Sequence, residues 1–557
     1  GAFEDGRHVL TCGTQNPHII RQVLGDAVLG CGEDAVRIVT PDMGGAFGMR
    51  SGLFPEMAFV LWAARRLGRP VRWTGTRSAH FLADDQGRDL TMRVELGLDA
   101  EGRFTALRAR STAALGAYLS LFGPIPTFSN LGGLAGVYRT PAIRAEVRAV
   151  YTNAAPIAPY RGAGRPEAIA CVELAIDRAA RDLGLDRIEL RRRNMIRPEE
   201  LPFRTGLTFT YDSGDFPAGM EKALALADAA GFETRRAEAA ARGRLRGLGV
   251  ANAIESSAGM LDEGVEVRIE PDGSALALTG SVNHGQGHET MLAQVVSAAL
   301  GLDPARVRVA QGDTDRGPRG VGTFGSRTAC LAGSAALRAA EAVAERLRTL
   351  AGAALEAAPP DIRLTEGEAR VAGTDRAVAF AALAATAPAP LAETARFAAD
   401  QGATFPNGTH VCEVEIDPET GALSVERYTV VDDVGTALNP MIVEGQIHGG
   451  VAQGLAQVMA ERMAFDPETG QPITASFMDY AAPRAADLPR YVVGHNPQPT
   501  TKNPLGAKGA GEAGTVGALP AGLAAVLDAL APLGVARFDM PATSERLWRA
   551  IAEAQAG

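Results

Sequence analysis

Three times in this chain a glycine-rich run stands directly before a helical pattern, and that repeated junction most constrains what the chain can fold into. The run Gly44-Gly45-Ala46-Phe47-Gly48 follows the apolar stretch Val36 to Val39 and precedes a helical pattern from Glu56 to Leu67. Tyr160-Arg161-Gly162-Ala163-Gly164-Arg165 opens the helical pattern Glu167 to Leu183, and Lys508 to Gly514 stands before the apolar stretch Val516 to Leu530. Glycines let a backbone approach a ligand closely, and free N–H groups gather where a helix begins. Two further runs, His284 to Thr290 and Gly322 to Thr328, are similarly rich in glycine and polar residues.

The Lys508 to Gly514 turn holds a single carboxylate, Glu512. A carboxylate in a partly dry pocket has its pKa raised toward neutrality and serves as a general base. The same segment also reads as a surface turn before a helix. Arg161 and Arg165 are suited to fix a phosphate or an oxo group, and His284 and His288 read as polar pocket or helix-start residues rather than metal ligands. Gly509 to Gly514 satisfies GxGxxG, but Thr500 to Lys508 is no buried strand, so a dinucleotide-binding unit is not expected.

At 557 residues the chain calls for more than one core. Hydrophobic content of 46% with 22% charged residues describes a globular protein. The net charge of -10, with no basic block, argues against nucleic-acid binding. Mean hydropathy is near zero, no continuous apolar run of membrane-spanning length stands out and the start carries no signal-peptide pattern, so a cytoplasmic protein without a membrane span is expected. Cys12, Cys31, Cys171, Cys330 and Cys412 show no CxxC spacing, so neither iron–sulfur clusters nor structural zinc are expected in this chain. Strand and helix patterns alternate up to residue 240. A charged, alanine-rich stretch from Glu233 to Arg244 reads as a linker, and a second alternating region follows, with a hairpin at Val411 to Val431. Two α+β halves with a site between them are expected, residues 1–240 and 245–557.

In this order the Thr14-Gln15, GGAFG, YRGAGR and GQG runs, the Gly445-Gln446 to Gln453-Gly454 segment and the Lys508 to Glu512 turn resemble the molybdenum-binding large subunit of the xanthine dehydrogenase and aldehyde oxidase superfamily. The resemblance covers nearly the whole chain. It implies two elongated mixed α/β molybdenum-cofactor-binding domains in an α+β fold, with the active site between them. It also implies molybdenum held only through the dithiolene of a molybdopterin, expected as the cytosine dinucleotide, with no direct side-chain ligand. The carboxylate matching Glu512 takes a proton from the metal's hydroxyl while substrate is hydroxylated, and electrons leave through the pterin. A small [2Fe-2S] subunit and an FAD-binding medium subunit are the implied partners, in a dimer of heterotrimers. Gln15 matches a donor to the apical oxo group. Phe47, Gly48, Arg161 and Gly325 match the surrounding wall, with Gly511 in the same cofactor set. Gln286, Ser326, Arg327, Thr328, Gln446, Gln453 and Lys508 match residues that grip the pterin and its phosphates. The family's N-terminal hammerhead domain has no counterpart here, which implies truncation or a separate chain supplying it.

Departures from the family bear on substrate. Ser51 and Ser129 stand where purine oxidisers carry charged residues, Ala163 where they carry a phenylalanine, and Glu255 is a further expected pocket residue. Carbon monoxide oxidisers carry a cysteine directly after the arginine for a copper–sulfur bridge, and this chain has Gly162. An aldehyde or aromatic N-heterocycle is the expected substrate. A purine or carbon monoxide dehydrogenase-type subunit is the alternative, and a cofactor carrier or inactive scaffold is the alternative outside catalysis.

Overall fold

The apolar stretch after Glu512 forms the helix Ala513–Leu530, and the strand Leu245–Ile254 lies directly on it. Sequence explains that closeness. A β-carbon at Gly247 would stand 2.0 Å from the Ala525 carbonyl oxygen, and one at Gly249 2.0 Å from that of Ala521, so only glycine lets strand and helix touch. On another face the helix meets Pro440–Met459. There a β-carbon at Gly450 would stand 2.9 Å from the Gly514 Cα, and one at Gly454 2.6 Å from the Ala518 side chain.

In this computed structural model residues 1–128, 131–258 and 262–556 are described. The strand Leu245–Ile254 is the edge of a four-stranded sheet that continues through Asn407–Ile416 and Leu423–Asp433 to Tyr491–His495. The two middle strands are the expected hairpin. A second four-stranded sheet runs Val307–Ala310, Ala275–Thr279, Asp262–Ile269, Ala392–Ala398, and packs on the helices His288–Leu300 and Thr328–Leu355. The N-terminal part holds two three-stranded sheets. Ala2–Glu4, Arg7–Thr11 and Val36–Val39 form one, and Leu90–Leu98, Phe104–Gly116 and Ala142–Tyr151 the other, with the helices Pro55–Leu67 and Arg165–Leu183 following the glycine runs. The architecture is the expected α+β arrangement of two mixed α/β parts.

Two expectations are corrected. Residues 233–244 are no free linker: they fall largely within the helix Phe232–Ala241, whose Phe232 and Ala239 are buried and whose Arg235 is paired with Glu413 at 2.5 Å. The core is also continuous across that point, because Ile254, Phe405 and Val516 pack with Tyr138, Ile169 and Ile176. The second correction concerns Ala513–Leu533, which is long and apolar enough to cross a membrane by length and composition. Glycines, small residues and Pro520 hid that character in the sequence. The segment is 72% buried inside the protein, as expected of a core helix packed on several sides.

Candidate active site

Glu512 is the N-cap residue of the Ala513–Leu530 helix, so the buried helix fixes where its carboxylate points. Oε1 accepts the Gly162 N–H at 2.8 Å, and Oε2 accepts the Ser326 hydroxyl at 3.0 Å. Arg165 Nη1 lies 3.8 Å from Oε1, and 14% of the side chain remains exposed. Burial pushes the carboxyl's pKa up, but the Arg165 charge, the Gly162 N–H, Glu255 and Ser326 together hold it below its ordinary value. The expected rise toward neutrality is therefore corrected: Glu512 is a base kept ionised by its donors.

The YRGAGR run reaches the carboxylate through a strained turn. Gly162, Ala163 and Gly164 all have positive φ, at 95°, 45° and 93°, which turns the Gly162 N–H toward Glu512. Arg165, just beyond, donates through Nε to the Ser256 hydroxyl at 3.2 Å, and its Nη1 lies 3.9 Å from Glu255. In this structure Arg165 faces carboxylates, and an anion-fixing role is not what its contacts describe.

Arg161 is the brace. Its N–H donates to the Phe47 carbonyl at 2.9 Å, Nε to the Gly511 carbonyl at 2.6 Å, Nη1 to Gln453 Oε1 at 3.1 Å and Nη2 to the Gln446 carbonyl at 3.1 Å. The guanidinium also stands over the Phe47 ring, 5.6 Å from its centre. Four expected residues, Phe47, Gln446, Gln453 and Gly511, thus meet around the side chain of a fifth, Arg161.

Gln15 is buried and joins two of the runs. Its Nε2 donates to the Thr323 carbonyl at 2.8 Å, and its Oε1 accepts the Gly48 N–H at 2.9 Å. An amide NH2 carries two hydrogens, so a second donor remains after the Thr323 contact. Gly48 must be glycine, because at φ 113° its β-carbon would stand 2.1 Å from the Pro159 carbonyl. Gly325 and Ser326 both have positive φ, and the Thr328 hydroxyl donates to that of Thr323 at 3.3 Å. Gln286 accepts the His284 N–H at 2.8 Å, in a loop that Gly287 seats against Ile442. His288 begins the helix His288–Leu300, and burial lowers the imidazole pKa of His284 to about 4 and of His288 to about 3.

Lys508 and Arg327 do not present charge to a ligand. Lys508 Nζ is buried against Asp433 at 2.6 Å and donates to the Ser213 carbonyl at 3.3 Å. Arg327 is buried against Glu263 and the Gly322 carbonyl. Each acid, Asp433 and Glu263, lies far away in sequence, so neither ion pair was visible in the motif. Of the expected substrate residues, Ser51 is buried with its carbonyl accepting from Asn16 at 3.1 Å, Ala163 sits in the turn beside Gly162, and Ser129 lies outside the described residues. Glu255 is fully buried beside Arg165, in the wall of a small cavity that Phe209, Tyr211 and Phe405 also line.

Two residues were missed by sequence reasoning. Arg88 donates to the Tyr160 and Arg161 carbonyls and pairs with Glu167 at 3.2 Å, bracing the YRGAGR turn from behind. Ser257 Oγ accepts the Gly509 N–H at 3.1 Å, fixing the turn before Glu512. Only the position of Ser257, two residues after Glu255, hinted at the second. Nothing local hinted at the first.

Comparison with known proteins decides what this arrangement belongs to. Residues 2–195 and 222–489 match the molybdopterin cofactor-binding domain family. The chain belongs to the molybdopterin-binding large subunits of the xanthine dehydrogenase, carbon monoxide dehydrogenase and aldehyde oxidase superfamily. This large subunit is 36% identical to the carbon monoxide dehydrogenase large chain of Hydrogenophaga pseudoflava, over 97% of its own length and 70% of that protein. It is 36% identical to subunit gamma of the 6-hydroxypseudooxynicotine dehydrogenase complex of Paenarthrobacter nicotinovorans, over 96% and 69%. Quinoline 2-oxidoreductase from Pseudomonas putida 86 superposes with a TM-score of 0.93 at 36% identity, over 98% and 72%. The large subunit is thus a molybdenum-hydroxylase-type oxidoreductase of the carbon monoxide dehydrogenase and quinoline oxidoreductase branch.

The residues fit a molybdopterin. Beside Gly44 and Gly325 no atom lies within 4 Å of where a β-carbon would stand, so bare backbone borders open space in two of the runs. The polar side chains gathered there are amides and a hydroxyl, and no cluster of three metal-ligating side chains occurs among the described residues. That donor set suits a metal that arrives on its own organic chelate.

Proposed function

We propose that the large subunit carries out the oxidative hydroxylation of an aldehyde or aromatic N-heterocycle, with water as the oxygen source. The observation that carries this reading is the ionised, partly exposed Glu512, held by Gly162 and Ser326 where the glycine-rich runs converge. When bound, the molybdenum–pterin group supplies the two-electron acceptor and the centre at which water is activated. Gln15 offers its second amide hydrogen there, and the neutral amides of Gln446 and Gln453 orient without adding charge. Glu512 accepts the proton released as water becomes the nucleophile, and the Gly162 N–H and Ser326 hydroxyl keep its lone pairs aimed. Arg161 holds the turn of Glu512 against the Phe47 wall, so the base and the cofactor-facing backbone move as one piece. The pterin is proposed to be the cytosine dinucleotide form. Electrons are proposed to leave to a [2Fe-2S] subunit and an FAD-binding subunit in a dimer of heterotrimers.

A carbon monoxide dehydrogenase-type reaction is the second reading, and the 36% identity to such a large chain favours it over the purine reading. The residue after Arg161 speaks against it. At φ 95° a β-carbon on Gly162 would stand 2.5 Å from the Pro166 ring, so the turn has no room for a copper-binding thiolate side chain. Purine recognition lacks support because Ser51 and Ala163 offer no charge-assisted contact, each worth about 1.5–3 kcal/mol. The test is kcat/KM of the assembled complex on quinolines, pyridines, benzaldehydes, xanthine and carbon monoxide. The highest value is expected for an N-heterocycle or an aldehyde, and a clear preference for xanthine or carbon monoxide would overturn the reading.

A further inference from the structure

Glu255 follows the strand Leu245–Ile254, and its own N–H is fixed on the Pro406 carbonyl at 2.8 Å. Its side chain is fully buried, and neither carboxyl oxygen finds a hydrogen-bond donor. Around it lie Phe209, Tyr211 and Phe405, lining a small cavity with Arg165. An ionised carboxylate left without donors in such a place costs several kcal/mol, on the order of the desolvation of a buried charge. Arg165 offsets that cost only in part. Its Nη1 lies 3.9 Å from Glu255 and 3.8 Å from Glu512, too far for a hydrogen bond to either, while Nε and Nη1 donate to Ser256 and Gly162. Two carboxylates on one guanidinium do not both ionise readily, and the one with donors keeps the charge.

Among the other groups facing Glu255, the Ser326 hydroxyl favours its ionised form, but its one hydrogen is donated to Glu512 Oε2 at 3.0 Å. The Cys330 thiol is pushed up to about 12 by burial, and the Tyr211 hydroxyl donates to the Gly136 carbonyl at 2.8 Å, so both are neutral. Arg161 adds a more distant positive charge that is already spread over its own acceptors. Burial, and then the negative charge of Glu512, push Glu255 well above the usual carboxylate range.

We propose that Glu255 is a positioning residue that keeps its proton and lends it as a hydrogen bond to Glu512, which holds the base ionised and aimed. The pair then carries one proton between two carboxyl groups, with Glu255 as the permanent donor and Glu512 as the group that exchanges with substrate chemistry. This rests on the reading of Glu512 as the base.

The experiment uses the assembled holoenzyme and two variants, Glu255→Gln and Glu255→Leu, with molybdenum and pterin content measured for each. Glutamine keeps a donor and cannot titrate, so the acid limb of kcat/KM is expected to stay in place. Leucine removes the donor, and the limb is expected to move up by about one unit. A limb that moves down by about a unit in Glu255→Gln would mean Glu255 is ionised at rest, and would overturn the proposal. A limb unmoved in both variants would also overturn it. The independent readout is infrared spectroscopy at neutral pH, where a protonated-carboxyl band is expected in the wild-type protein and absent in Glu255→Gln. No such difference between them overturns the proposal whatever the activities. If the band is present but Glu512→Gln retains activity, the reading of Glu512 as base fails while the protonation of Glu255 stands.

Discussion

Glu512 Oε1 and the Gly162 N–H, 350 positions apart in the chain, meet at 2.8 Å. The base is therefore aimed by the backbone of a second segment, and that turn exists because Gly162 and Gly164 take positive φ. Removing the carboxylate should leave the turn intact. In Glu512→Gln the amide oxygen still accepts from Gly162, so molybdenum content should hold while kcat falls by about two to four orders of magnitude. Steady-state kinetics beside metal analysis checks this, and near-normal turnover would remove Glu512 from the chemistry.

The pH dependence follows from the lowered pKa of Glu512. A carboxyl depressed below its ordinary 4.5 is ionised throughout the neutral range and stabilises the folded protein above 4.5, and both properties are lost as pH falls through its folded value. The acid limb of kcat/KM should thus lie below 4.5 and leave the neutral range flat as far as this group is concerned. A limb near neutrality would show that the donors around Glu512 do not govern it.

Arg161→Lys keeps one charge but loses the planar fork that reaches Gly511, Gln453 and Gln446 together. Two lost contacts at roughly 0.5–1.5 kcal/mol each should lower stability by about 1–3 kcal/mol. Because the same contacts hold Glu512's turn, kcat should fall as well. A thermal melt and kcat that both match the wild type would show that the fork is dispensable.

Lys508→Met separates two roles for the lysine. Asp433 would lose its cation but still accept from Asn407, Gly435 and Gln498, so the cost should be at most about 3–5 kcal/mol, and replacing Asp433 with Asn in the same protein should restore part of it. Cofactor content in the molecules that remain folded should be close to wild type. Loss of cofactor without loss of stability would return Lys508 to the phosphates.

Gly249→Ala adds one methyl group where the Ala521 carbonyl stands 2.0 Å away. Strand and helix must separate, at a cost of about 1–3 kcal/mol or more, read as a lowered Tm. An unchanged Tm would show that this contact is not close in solution.

Local pattern carried much of the fold. The helices after GGAFG and YRGAGR, the hairpin Asn407–Ile416 with Leu423–Asp433 and the helix after Glu512 all announce themselves in periodicity and glycine placement. Arg161 and Glu512 were legible in their glycine-rich runs, whereas Gln15, Gln446 and Gln453 were legible only through the resemblance to the family. What charge does was not legible. Lys508, Arg327 and Arg165 look alike in sequence as cations beside glycine, yet their acids Asp433, Glu263, Glu255 and Glu512 come from other elements. Whether a charge faces a ligand or a buried partner is set by long-range packing, and so is the difference between Glu512 and Glu255. The stretch 233–244 misled for the same reason, because Arg235 is satisfied by the distant Glu413 and Phe232 and Ala239 bury one face of the helix.

The helix that begins after Glu512 is enclosed by the strand Leu245–Ile254 on one face and by Pro440–Met459 on another, with Gly247, Gly249, Gly450 and Gly454 bringing the backbones close. Such a mount has little freedom to tilt or slide. The orientation of the base is settled when the core closes, long before any substrate arrives, so the reacting proton meets a group that needs no rearrangement. Mutations deep in that core, far from any ligand, should therefore register first as a loss of catalytic timing and only later as a loss of fold.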